Sequence, residues 1–147
     1  MRKPILVSAC LLGTCCRYDG RSNACDAVLK LLAREDITLI PVCPEQLGGL
    51  PTPRIPSERQ GELVVNKAGK DVTAQFLRGA EAALHIARLY DCQLAILKER
   101  SPSCGCGKIY DGSFSGKLTT GDGVTAELLR REGIGVYGES QVSDIFG

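Results

Sequence analysis

Eight cysteines in 147 residues are the first chemistry that this sequence offers. Two of them fall in Lys98-Glu99-Arg100-Ser101-Pro102-Ser103-Cys104-Gly105-Cys106-Gly107. That stretch puts two thiols, two hydroxyls, three charges, one proline and two glycines in ten positions. The proline and glycines fix turns and let the backbone approach a ligand closely. The other cysteines are Cys10, Cys15, Cys16, Cys25, Cys43 and Cys92. In a small secreted chain an even count points to disulfides. In a cytosolic chain with its own core it points to metal binding or catalysis. Soft thiolates favour zinc or an iron–sulfur cluster. Closed structural sites usually place two residues between paired ligands. Here Cys104 and Cys106 have one residue between them, and Cys15 and Cys16 are adjacent. Distant single cysteines look more like the ligands of a cofactor seated in a pocket. Three ligands rather than four would leave one iron of a cubane open, as a catalytic cluster needs.

The elements that must position these thiols can be read from the apolar pattern. Residues 4–9 are a short β-branched run and read as a buried strand, with Cys10 at its end. Residues 11–21 are a loop. Asn23 is placed as the cap of a helix running to Arg34, with Asp26 in its first turn and Cys25 at its opening. Residues 38–42 are a second strand, ending at Cys43. Residues 46–61 read as a long irregular loop, and such loops are usually functional. Residues 62–65 and 70–72 read as a small hairpin with glycine in its turn. Thr73 or Asp71 caps a long helix to about Tyr90, with Phe76, Leu77, Ala80, Ala83, Leu84 and Ala87 as its apolar stripe. Residues 94–97 form the third strand and run into the Lys98–Gly107 stretch. Asp122 caps a helix to Arg131, which Gly133 ends. Residues 134–137 form the fourth strand, and the tail from Glu139 carries no signal.

Strands alternating with helices predict an α/β fold: a three-layer, Rossmann-like parallel sheet of about four strands, helices on both faces, and a small β-hairpin insertion. Ligands of such sheets bind at the carboxyl ends of the strands. Three crossovers then deliver three thiols to one edge: Cys10, Cys43, and either Cys104 or Cys106, which periodicity alone does not separate. Cys92 precedes its strand and belongs at the opposite edge.

Composition sets the limits. The length predicts one domain over residues 1–147. Hydrophobic residues make up 44% and charged residues 24%, as in an ordinary globular protein. A net charge of +1 gives no global argument for a nucleic-acid or membrane partner. No apolar run approaches a membrane span, and the first run is too short for a signal peptide, so the expected location is cytoplasmic.

Four ordered motifs then stand out: Val7-Ser8-Ala9-Cys10-Leu11-Leu12-Gly13, Pro41-Val42-Cys43-Pro44-Glu45, Gly49-Leu50-Pro51-Thr52-Pro53-Arg54, and Lys98-Glu99-Arg100-Ser101-Pro102-Ser103-Cys104-Gly105. Together they resemble the thiouracil desulfidase family over nearly the whole chain. The resemblance implies a [4Fe–4S] cluster held by Cys10, Cys43 and Cys104, with the fourth iron free to take the sulfur of a thiolated base. It implies a non-redox desulfuration, C=S to C=O with water, releasing sulfide. It also implies Glu45 and Ser101 as the groups that handle protons. A metal stabilises charge developing on the leaving sulfur, and a carboxylate beside it can act as base towards water. Arg54 is placed against a carbonyl oxygen of the base. No redox partner is required.

Plainer readings exist for each residue. Cys10 and Cys43 could be buried core cysteines. Glu45 and Arg54 could be partners in structural ion pairs, and Ser101 a turn hydroxyl. Cys15, Cys16 and Cys106 read as spare thiols, and His85 as a surface residue. Two other functional classes compete. One is a metal-free thiol oxidoreductase or sulfur carrier using Cys104 and Cys106. The other is a non-catalytic zinc- or cluster-binding module.

Overall fold

The computed structural model describes residues 2–146. Strands β1 (Lys3–Ser8) and β2 (Ile37–Val42) are followed by a hairpin of β3 (Ser57–Gln60) and β4 (Leu63–Asn66). Strand β5 (Leu94–Leu97) precedes a second hairpin, β6 (Lys108–Tyr110) and β7 (Leu118–Thr120), and β8 (Gly135–Gly138) comes last. The helices are α1 (Asp26–Leu29), α2 (Pro44–Leu47), α3 (Thr73–Leu89), α4 (Val124–Arg131) and α5 (Val142–Phe146). The predicted α/β class holds. Four strands form one sheet in the order β2-β1-β5-β8, with every pair parallel.

The sheet is buried on both faces because its strands are apolar without alternation. Ile5, Leu6, Val7, Ala95, Ile96 and Leu97 are all fully buried. Leu6, Ala95 and Leu97 pack with Ala83, Leu84 and Ala87 of α3 and with Ala126 and Leu129 of α4. Ile5, Val7 and Ile96 pack on the other face with Val28, Leu31 and Val142. Strand order reverses at β1, so the crevice between β1 and β5 is the switch point where such sheets bind ligands.

Several expected boundaries are corrected. The first helix is not capped by Asn23. It begins after Cys25, and its second half, Lys30–Ala33, is a 3-10 turn. Asn23 is drawn instead towards the sheet edge, where its Oδ1 accepts from Arg17 Nη1 at 3.2 Å. The expected hairpin is extended: residues 70–72 meet β4 through a bridge between Val65 and Asp71 and backbone bonds from Val72 N to Val64 O and from Asn66 N to Lys70 O, both 2.9 Å, while β4 also pairs with β3, which lies inside the stretch read as loop. Val72, neither Thr73 nor Asp71, occupies the capping position of α3, although Asp71 Oδ1 accepts the amide of Thr73, the first helical residue, at 2.8 Å. Leu77 is exposed rather than in the apolar stripe of α3. Gly123, not Asp122, occupies the capping position of α4. Asp122 accepts the Gly107 amide at 2.7 Å instead. The β6–β7 hairpin and α5 were not expected at all. His85 is exposed, as read.

One contact in this frame is steric. α2 lies so close to α3 that a Cβ on Gly79 would sit 1.9 Å from the Pro44 carbonyl oxygen. In a free helix Gly→Ala is stabilising. Here Gly79→Ala has the opposite sign, because overpacking of about 1–3 kcal/mol or more outweighs the propensity gain. A fall in Tm of roughly 3–10 °C is expected by thermal unfolding. An unchanged or raised Tm would show that α2 is free to move.

Candidate metal centre and active site

Each of three crossovers sets one cysteine at the carboxyl edge. Cys10 lies in a 3-10 turn, Ala9–Leu12, directly after β1. Gly13 ends that turn at φ +101°, and its amide bonds back to the Cys10 carbonyl. Cys43 follows β2 and occupies the capping position of α2, whose first helical residue is Pro44. Cys104 is buried in the loop after β5.

That loop is held by its own serine and by a helix. Ser101 Oγ accepts the amides of Ser103 at 3.1 Å and Cys104 at 3.0 Å. The first amides of α4 take the loop's carbonyls. Gly123 N bonds to Gly105 O, Val124 N to Pro102 O, and Thr125 N to Ser103 O, at 2.8–2.9 Å. These donors would otherwise be orphaned at a helix start. A Cβ on Gly123 would meet the Ser103 carbonyl at 2.4 Å, so only glycine permits this approach. The buried pair Ser103 Oγ and Thr125 Oγ1, 2.8 Å apart, closes the joint. Ser8 Oγ accepts the Lys98 amide at 2.9 Å and ties the ends of β1 and β5 together.

Cys10, Cys43, Cys104, Glu45, Ser101 and Arg54 all line one cavity of about 570 Å3. The structure thus brings these six residues to one place and leaves Cys106 out of it. Glu45 lies in the first turn of α2, its side chain 17% exposed. Burial raises its pKa, and the Arg54 guanidinium, 3.2 Å away, opposes that rise. Arg54 is 6% exposed and heavily engaged. Nε–H donates to Glu45 Oε1, Nη1 to Pro51 O and Thr52 Oγ1, and Nη2 to Cys16 O. Of its five N–H groups one remains for another acceptor.

Cys16 and Asn23 were not picked out from sequence as parts of this site, yet both line the cavity. The neighbouring Cys10 and Cys43 thiols, together with burial, push the Cys16 thiol up, and Cys43 Sγ donates to the Cys16 carbonyl oxygen at 3.8 Å. Cys10 and Cys43 are correspondingly lowered, to about 7 and about 6, chiefly by the neighbouring Cys16 thiol. The Asn23 side chain beside it also lowers Cys10. Cys104 moves the other way because it is buried. The one available signal for Cys16 was its place on the loop that leaves Cys10. Cys15 is exposed and Cys25 half-buried. Cys92 is buried just ahead of β5. Cys106 lies 2.6 Å from Arg130 Nη2, outside the cavity lining.

Lys98 and Glu99 are tied to the segment after β8. Lys98 Nζ meets Glu139 Oε2 at 2.8 Å, and Glu99 accepts from Ser140 N and Oγ at 3.1 and 2.7 Å.

Among the described residues, no three Cys, His, Asp or Glu side chains converge as the ligands of a single ion. A polynuclear cluster makes a different demand. Each thiolate takes a different iron, so the sulfurs stand apart around a void. Three thiols from three separate elements on one cavity meet that demand.

Fold and site together define a Rossmann-like α/β protein with a thiol-lined pocket at the switch point of its sheet. The model of the 2-thiouracil desulfurase family matches residues 5–141, and the chain belongs to that family. It is similar to the uncharacterized protein YbbK of Bacillus subtilis (strain 168), at 44% identity over 151 residues, covering 96% of this chain and 99% of that protein. It is also similar to a solved structure, the [4Fe–4S]-dependent thiouracil desulfidase TudS. There the TM-score is 0.91 at 50% identity, covering 97% of this chain and 95% of the other.

Proposed function

We propose that this protein hydrolyses the C=S bond of a thiolated pyrimidine such as 2-thiouracil, giving C=O and sulfide, with a [4Fe–4S] cluster held by Cys10, Cys43 and Cys104. The observation that carries this reading is the convergence of those thiols with Glu45 and Ser101 on one cavity. Kinship with a protein titled a [4Fe–4S]-dependent thiouracil desulfidase supports it. When bound, the cluster supplies an iron without a protein ligand, a soft Lewis acid for the departing sulfur.

The chain's own residues do the rest. Glu45 takes a proton from water as its oxygen attacks the ring carbon. Arg54 holds that carboxylate in place through Nε and offers its remaining N–H to a ring carbonyl. Ser101 Oγ already accepts two amides, so its own hydrogen is left to donate towards water or ring. Water enters, hydrogen sulfide leaves, and no electrons are exchanged. Eight free cysteines suit a reducing compartment such as the cytoplasm.

The test is sulfide release from 2-thiouracil by protein reconstituted without oxygen, with iron and acid-labile sulfide assayed on the same sample. About four irons per chain and stoichiometric sulfide and uracil are expected, from the composition of the cluster. Iron-free protein with thiol exchange activity would select the metal-free alternative, and zinc in place of iron the binding-module alternative.

A further inference from the structure

We propose that Phe114, on the loop joining β6 and β7, is the face against which the substrate ring stacks, and that Glu58 is the positioning residue that fixes it. The proposal rests on the desulfuration reading and names how the same site holds its ring.

The thiols come from the main sheet, but part of the cavity lining comes from the two hairpins. Glu58 of β3, Tyr110 of β6 and Phe114 all face it. The chain has three phenylalanines. Phe76 is buried among Val64, Val72 and Ala80, and Phe146 packs against the far face of the sheet. Of the three, Phe114 is the one that lines the cavity, beside the phenol rings of Tyr18 and Tyr110. It is half-buried between two exposed serines, Ser113 and Ser115. Apolar area of that size on a polar loop has no role in the core.

Its backbone is also costly. Phe114 has φ +56°, in the left-handed region that a bulky side chain avoids. Among the described residues only two other non-glycine residues do this, and one of them, Arg100 at φ +68°, lines the same cavity. Strain of this kind persists only where surrounding structure imposes it, and it gathers at functional sites. Here the imposing contacts are visible. Glu58 Oε1 accepts both the Gly112 amide at 2.9 Å and the Phe114 amide at 3.1 Å. Gln60 Nε2 donates to Gly112 O at 2.8 Å. Arg59, on the same strand, donates from Nη1 to Asp122 O at 2.8 Å. The loop is therefore tied through β3 to the segment leading into α4, the helix that holds the Cys104 loop.

A thiolated pyrimidine is flat, with polar groups only at its edge. A phenyl ring gives the flat face a partner and leaves the edge free to meet Arg54, Ser101 and the metal. Stacking fixes the plane of the ring and is indifferent to which edge atom carries sulfur. Specificity then lies with the edge, and affinity with Phe114.

The experiment uses the cluster-loaded protein and four variants: Phe114→Ala, Phe114→Trp, Glu58→Ala and Glu58→Gln. Uracil binding is followed by calorimetry and 2-thiouracil turnover by sulfide release, with iron content measured throughout. Phe114→Ala is expected to weaken uracil binding and raise KM by about ten-fold or more, with iron unchanged and kcat within a few-fold. Phe114→Trp keeps the affinity. Glu58→Ala raises KM and speeds hydrogen exchange at the amides of Gly112 and Phe114. Glu58→Gln restores both, because an amide oxygen accepts the same two N–H groups. Uracil binding by Phe114→Ala equal to that of the parent overturns the stacking face. A raised KM in Glu58→Ala with unchanged exchange overturns the positioning role. Phe114-dependent uracil binding by a parent that releases no sulfide supports the stacking face and rejects desulfuration.

Discussion

Cys104→Ser is expected to yield a folded protein with no iron and no sulfide release. Serine is close to cysteine in shape, and the Cys104 loop is held by Ser101 Oγ and the amides of α4 rather than by the thiol. Its far-ultraviolet circular dichroism should match the parent. A hydroxyl is a poor ligand for iron that thiolates bind, so two thiols would remain where three are needed. Cys10→Ser and Cys43→Ser are expected to behave alike, because each thiol comes from a different crossover and none can substitute for another. Cys106→Ser is the control. Its sulfur meets Arg130 outside the cavity, so colour and turnover should persist. Full iron content in Cys104→Ser, or iron lost from Cys106→Ser, would exchange the roles of these two cysteines.

Glu45→Gln should leave the iron in place and cost about 10²–10⁴ in kcat, the usual contribution of a positioned base. Glutamine is the informative replacement. Its amide oxygen can still accept from Arg54 Nε, now 3.2 Å from the carboxylate, so the surroundings keep their shape while the base is gone. Glu45→Ala would also strand a guanidinium that is only 6% exposed, and its loss of activity would mix chemistry with damage. Steady-state rates at saturating 2-thiouracil, with iron assayed in parallel, separate the two. Normal turnover in Glu45→Gln would remove the carboxylate from the mechanism.

Sequence was informative where burial dictates composition. β1 and β5 are inside on both faces, so Ile5-Leu6-Val7 and Ala95-Ile96-Leu97 read as strands without any pairing information. The end of β1 with Cys10 and the loop after β5 with Cys104 followed directly, and with Cys43 at the end of β2 so did the single edge on which the thiols meet. What escaped was structure made by exposed residues. β3 is Ser57-Glu58-Arg59-Gln60 and carries no apolar alternation, because it rests on side-chain bonds to the β6–β7 loop and to α4. All three residues of β7 are exposed. Asn23 has the chemistry of a helix cap, and only the tertiary pull of Arg17 and Cys10 shows why it does not act as one. Cys16 was hidden for a different reason. Its neighbours Cys10 and Cys43 come from separate strands, and nothing local to residue 16 reports them. The Arg54–Glu45 pair was legible only as a possibility, whereas the fourfold engagement of the guanidinium needed coordinates.

The joint between α4 and the Cys104 loop bears on how the protein is loaded. In many small metallodomains the ion is the scaffold, and the chain is shapeless until it arrives. Here the rack stands ready, because backbone amides of a helix, a serine hydroxyl and a glycine contact hold the thiol in its seat. Cofactor entry is then ordinary ligand capture by a finished receptor. Its gain in stability grows with the logarithm of cofactor concentration, rather than deciding whether there is a fold.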